Sequence, residues 1–159
     1  MCQNPLSIRD KFNAMTTVQC RKCQACIGAR KRHWIGRMLA EETTATAVWF
    51  TTFTYAGGYD NVDAYVINYA DLQKTFKRLR KAGYKFKYVA VGEHGTAKER
   101  AHFHVAFYWQ GTPPEITMDT NAQWQFWDHG HVNAQFPRSQ QACASYIMDY
   151  MNKDNLERA

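Results

Sequence analysis

The stretch RAHFHVAFYW, residues 100–109, limits the fold more than any other part of the chain. Phe103, Val105 and Phe107 alternate there with His102 and His104. A period of two puts the two sets on opposite faces of a β-strand. The apolar face has to be buried. The other face carries two imidazoles side by side. It is either a polar surface turned to water or a pair of ligands aimed at one ion.

Such a strand needs partners. YKFKYVAVGE (84–93) precedes it and is joined to it by a short glycine-containing turn, so the two should pair antiparallel. In that pair Glu93 comes to face His102 across the ladder. Glu93, His102 and His104 would then be three metal ligands. They leave part of the coordination shell open to water or substrate, as a catalytic divalent ion requires. The mixed oxygen and nitrogen donors suit magnesium or manganese. His94 points away from Glu93 in extended structure and reads as a loop residue.

The remaining elements follow from periodicity and breakers. TAVWFTTFTY (46–55) is a strand, ending before Gly57-Gly58. Residues 27–43 are helical on Trp34, Met38 and Leu39, and residues 63–83 on Leu72, Phe76 and Leu79, closed by Gly83. Residues 111–116 read as loop, 121–130 as a short helix ending at Gly130, and 131–136 as an edge strand. Residues 139–155 form a last helix with Ser139 as N-cap, and residues 1–26 look irregular. The fold class is α+β: one antiparallel sheet with helices packed on one side.

The last helix carries SYIMDYMNK. Tyr146 and Tyr150 are four residues apart and share a face, with Lys153 on the same side. They could be core positions of an amphipathic helix. However, Ile147 and Met151 already supply an apolar stripe, which leaves two phenols and a lysine for other work. A phenol is a weak nucleophile because its pKa is about 10. A nearby cation makes it useful by stabilising the developing charge.

The chain has 159 residues, enough for one domain with one core, and 20 Lys+Arg against 14 Asp+Glu. A basic, aromatic-rich domain points to a polyanionic partner. The excess charge is concentrated in two stretches. Arg30, Lys31, Arg32 and Arg37 form the first; Lys74, Lys77, Arg78, Arg80, Lys81, Lys85 and Lys87 form the second. Both could track phosphates or could simply be solvated helix faces. Trp109, Trp124, Trp127, Tyr55 and Tyr59 could stack on bases, although most should belong to the core. There is no apolar run long enough for a membrane span and no apolar leader, so the expected location is cytoplasmic.

Thiols stay reduced there, so the five cysteines are not expected to form disulfides. Cys20, Cys23 and Cys26 follow C-x2-C-x2-C, and Cys2 can complete a four-thiolate zinc site. Unliganded thiols and an iron–sulfur loop are the other readings. Cys143 reads as a buried helix residue.

Taken together, WFTTFTY (49–55), GEHG with RAHFHVAFY (92–108), SYIMDYMNK (145–153) and the N-terminal cysteines resemble the HUH endonuclease superfamily. The resemblance is to rolling-circle replication initiators, and within them to those of the microviruses, of gokushovirus type. It implies a five-stranded antiparallel sheet, RRM-like and flanked by helices, so one short strand is missing from the reading above. It implies residues 27–159 as the endonuclease domain, after a cysteine-bearing segment 1–26. It also implies sequence-specific nicking of single-stranded origin DNA in the cytoplasm of a bacterial host, alongside host replication machinery. Tyr146 and Tyr150 would be alternating nucleophiles that form a 5′-phosphotyrosine intermediate, and Lys153 the lysine that follows them. His94 departs from the aromatic residue common after the glutamate. Two other readings stay open: a non-catalytic single-stranded nucleic-acid-binding module on a similar sheet, and a small metallohydrolase that activates water.

Overall fold

The computed structural model describes residues 1–57, 60–95, 99–139 and 143–149. Its centre is a five-stranded antiparallel sheet in the order β4-β5-β3-β7-β6. The strands are β3 (Ala47–Tyr55), β4 (Phe86–His94), β5 (Ala101–Trp109), β6 (Asn121–Trp124) and β7 (Trp127–Gln135). The fold is α+β, with a separate two-stranded ribbon of β1 (Leu6–Arg9) and β2 (Met15–Val18).

β5 is buried on both faces, and this sets the layering. Phe103, Val105, Phe107 and Trp109 point into the larger core, against Leu72, Phe76 and Leu79 of α2 (Tyr69–Lys81). These α2 residues follow helical spacing and form one apolar stripe. Asn68 caps α2 by accepting from the Ala70 N–H, and Arg78, Arg80 and Lys81 suit the negative end of its dipole. On the other face Ala106 and Tyr108 meet Val91 of β4, Met38 of α1 (Gln24–Glu42), and Cys143, Ala144, Ile147 and Met148. Residues 143–149 are helical. Helices therefore cover both faces of the sheet, not one. β5 needs both covers because Ala106 and Tyr108 leave its second face too apolar to face water.

Two other readings are corrected. Residues 121–130 form no helix: they make the β6–β7 hairpin, in which Trp124 pairs with Trp127 and both rings pack on Phe53. Aromatic side chains on a pleated surface outweigh the helical spacing there. Gly130 is no helix terminus. It lies opposite Tyr55, where an added Cβ would stand 2.3 Å from the Thr54 carbonyl oxygen. β6 is the fifth strand that the sequence did not disclose. The N-terminal segment, read as irregular, contains the β1–β2 ribbon.

Candidate active site

β3, β4 and β5 turn one row of polar side chains toward the face covered by α1 and segment 143–149. The β4–β5 register sets Glu93 opposite His102 and Val91 opposite His104. The Glu93 side chain reaches diagonally, and its Oε1 lies 2.7 Å from Nε2 of His104. His104 is buried at 6% exposure. Glu93 and His104 are therefore brought together. His102 lies in register with Glu93, but the donor atoms of the three residues are not gathered within 4.8 Å of one another. The Nε2 of His102 lies toward Gly95, 3.1 Å from where a Cβ on that glycine would stand.

β3 contributes what the sequence reading missed. Thr52 pairs with His104 and Thr54 with His102. Each threonine hydroxyl is 3.1 Å from Nδ1 of its histidine. A hydroxyl that accepts from Nδ1–H fixes the tautomer and leaves Nε2 with its lone pair for a ligand. Burial, and then His104, hold the His102 imidazole below its ordinary pKa, with Arg100 and His94 adding to this against Glu93. Neutral imidazole is the form that binds a metal. With a carboxylate beside Nε2 and both Nδ1 atoms engaged, the donor set fits a divalent ion. The signal for the threonines was present in the alternation of TTFT (51–54), which puts Thr52 and Thr54 on the histidine face.

Tyr146 meets this face from above. Its ring is edge-on to His104 at 5.7 Å and to Phe50 at 5.2 Å, and Phe50 stacks on His104 at 5.6 Å. Cys143, Ala144, Ile147 and Met148 carry the apolar face of the segment, and Tyr146 stays 41% exposed at its rim. Beside it opens a cavity of about 450 Å3 lined by Phe50, Thr52, Phe136, Arg138 and Tyr146 among others. Tyr150, Lys153, Met151 and Tyr59 lie outside the described residues.

The two basic stretches are separated. α1 lies on the tyrosine side of the sheet and carries exposed Arg30, Arg32 and Arg37; the Arg37 guanidinium rests over Trp34. α2 lies on the opposite side, with Lys77 and Arg78. Several of these cations have acidic partners: Lys31 with Asp149, Lys74 with Asp71, Arg78 with Asp128, and Lys87 with Glu41. Lys85 is exposed at the start of β4. Trp109, Trp124, Trp127 and Tyr55 are buried core residues and present no face to a base. His94 bonds the Tyr65 carbonyl, away from the site.

The four N-terminal cysteines converge, their sulfurs all within 4.8 Å of one another. Among the described residues no helix is long and apolar enough to cross a membrane.

Residues 48–155 match the family described as replication-associated protein, ORF2 or gene 2 protein type. The replication-associated protein ORF2 of Spiroplasma virus 4 is 30% identical over 135 aligned positions, which cover 72% of this chain and 42% of that relative. No solved structure matches. The matched region holds all five strands of the main sheet and the tyrosine segment, and on this ground the chain belongs to the replication-associated protein family of the ORF2 and gene 2 protein type.

Proposed function

We propose that the chain is a metal-dependent, tyrosine-using endonuclease that nicks and rejoins single-stranded DNA to initiate rolling-circle replication of a viral genome. One observation carries this reading: the Tyr146 ring lies against His104, and His104 is bonded to Glu93. A nucleophile of the right kind thus borders a polar row of the sheet face that could hold a divalent ion. Membership of a replication-associated family supports the same substrate class.

Glu93, His104 and His102 would hold magnesium or manganese, which when bound supplies Lewis-acid polarisation of the scissile phosphate. The protein's residues do the rest. Thr52 and Thr54 keep the imidazoles in one tautomer and orientation. The phenol oxygen of Tyr146 or Tyr150 attacks phosphorus as its proton departs, and the bond from phosphorus to the 3′ oxygen breaks. The leaving oxygen takes up a proton to become the 3′-hydroxyl that primes synthesis. The ester energy is kept in the phosphotyrosine bond, so a later 3′-hydroxyl can reverse the step. Two tyrosines allow one to hold a strand while the other cuts.

The test is incubation with labelled single-stranded origin DNA and Mn2+, followed by a denaturing gel. The expected result is a protein–DNA adduct, reduced in Tyr146→Phe or Tyr150→Phe and absent in the double variant. Cleavage without an adduct would point to activated water and overturn the tyrosine chemistry. Binding with no cleavage would leave only a nucleic-acid-binding module.

A further inference from the structure

The four N-terminal cysteines lie outside residues 48–155, and the proposed strand-transfer chemistry makes no use of them. Their geometry is specific. Sγ of Cys2 lies 3.5 Å from Sγ of Cys20 and 4.0 Å from that of Cys23, and Sγ of Cys20 lies 3.9 Å from that of Cys26. A tetrahedral zinc with bonds of about 2.3 Å to sulfur has tetrahedron edges of about 3.8 Å. A four-iron cluster places a whole cube of iron and sulfide between its thiolates and needs them much farther apart.

The surroundings are those of thiolates. Three backbone N–H groups aim at the sulfurs: Gln3 at Cys23, Cys20 at Cys2 and Cys23 at Cys20, at 3.3–3.4 Å. Cys23 is the N-cap of α1, yet it makes no side-chain cap hydrogen bond, and the first turn of α1 has no acidic residue. A cluster of anionic sulfurs complements the positive helix end that conventional capping leaves bare. Arg21, Lys22 and Arg30 in the adjoining sequence can offset the net negative charge of a tetrathiolate zinc.

The ribbon also needs an anchor. β1 has every residue exposed, and Leu6, Ile8, Phe12 and Met15 of this region are open to solvent. A lone two-stranded ribbon is marginal in water. Both ends of this one run into the cluster: Cys2 precedes β1, Cys20 follows β2, and Cys23 and Cys26 open α1.

We propose that Cys2, Cys20, Cys23 and Cys26 hold one structural zinc ion that fastens the β1–β2 ribbon to the start of α1.

Elemental analysis of the purified full chain, made without added chelator, is the first test, with one zinc per chain expected. Cobalt added to the stripped protein should give the absorption of a tetrahedral tetrathiolate centre. The Cys20→Ser/Cys23→Ser variant should lose both signals, whereas Cys143→Ser should keep them. Stripping zinc should also expose Lys11, Arg21 and Lys22 to trypsin while the sheet survives. Metal-free native protein, iron with sulfide, or disulfides among these cysteines would each overturn the proposal. None of these readouts depends on DNA cleavage, so the result stands apart from the fate of the nickase reading.

Discussion

Glu93 bonds not to the histidine it faces in register but to the next one along β5: its Oε1 lies 2.7 Å from His104 Nε2, while His102 stands opposite its Cα. A diagonal neighbour across an antiparallel pair is within reach of a side chain as long as glutamate. The register therefore sets the carboxylate between the strand position of one imidazole and the ring nitrogen of the other. Glu93→Gln keeps the shape and removes the charge. Nicking in Mn2+ should fall about 10²–10³-fold, as for loss of one electrostatic group at a reacting centre. Affinity for single-stranded DNA, measured by fluorescence anisotropy, should hold. A Glu93→Gln variant that nicks at the normal rate would remove Glu93 from the site.

The threonine pair is the strongest positioning feature of β3. Thr52→Val and Thr54→Val preserve volume and delete the partner of Nδ1 on His104 and His102. Loss of such a partner costs about 10–100-fold in metal affinity or activity. The Mn2+ concentration for half-maximal nicking should rise in each variant, and most in the double variant. Serine at either position should restore it, because the hydroxyl and not the methyl does the holding. If the metal requirement is unchanged in the double variant, the two hydroxyls serve only packing.

The alternation of RAHFHVAFYW is enough to place His102 and His104 on one face, and the short turn from YKFKYVAVGE is enough to pair Glu93 with His102. Both depend on local geometry that a strand imposes on its own residues. The diagonal bond to His104 is not legible, because it depends on side-chain reach across the ladder. The β6–β7 hairpin is hidden for a different reason. Trp124, Phe126 and Trp127 follow spacing that either a helix or a tight hairpin can use, and Phe53, far away in sequence, decides between them. The second helical layer is hidden because Ala106 and Tyr108 look ordinary until α1 and Met148 cover them.

Gly92 is fixed by close approach. An added Cβ would stand 2.5 Å from Cγ2 of Ile67 and 3.3 Å from the Phe103 ring, and the Gly92 N–H donates to the Tyr69 hydroxyl at 2.9 Å. Gly92→Ala should cost about 1–3 kcal/mol as overpacking. It should also shift Glu93, its neighbour in β4. Urea denaturation and nicking should therefore both suffer, with the nicking loss larger than the small unfolded fraction explains. Wild-type stability in this variant would show that the Ile67 loop yields freely.

Asp71 gives the fold a pH dependence. It is 7% exposed, accepts from the Tyr55 hydroxyl at 3.2 Å and from Lys74 at 3.0 Å, and faces His129 at 3.6 Å. Burial pushes its carboxyl up, but the Lys74 hydrogen bond, His129 and the Tyr55 hydroxyl together hold it below the ordinary range. A carboxyl depressed in the folded state adds stability above its unfolded pKa, about 3.9, and that contribution fades as pH falls through the folded value. Asp71→Asn should therefore cost about 1–3 kcal/mol at neutral pH. The gap from wild type should close in strongly acidic buffer. A gap that stays constant across the acid range would mean that the carboxylate charge contributes nothing.

Phe136 stands on the rim of the cavity beside Tyr146 and is 63% exposed. An exposed aromatic next to a proposed nucleophile is costly to leave in water unless something stacks on it. Phe50, on the other wall, is engaged by His104 and Tyr146, which leaves Phe136 as the ring that can receive a base. Stacking of one base is worth about 1–3 kcal/mol. Phe136→Ala should weaken binding of a short single-stranded oligonucleotide by about 5–150-fold on that scale, while the melting temperature changes little because the side chain packs on so little. Phe136→Trp should restore affinity. The double variant Tyr146→Phe/Tyr150→Phe, which cannot form an adduct, is the background in which to measure it, so that covalent trapping does not inflate the apparent affinity. Equal affinity for the alanine variant and its parent would mean that the nucleotide next to the cut passes by another route.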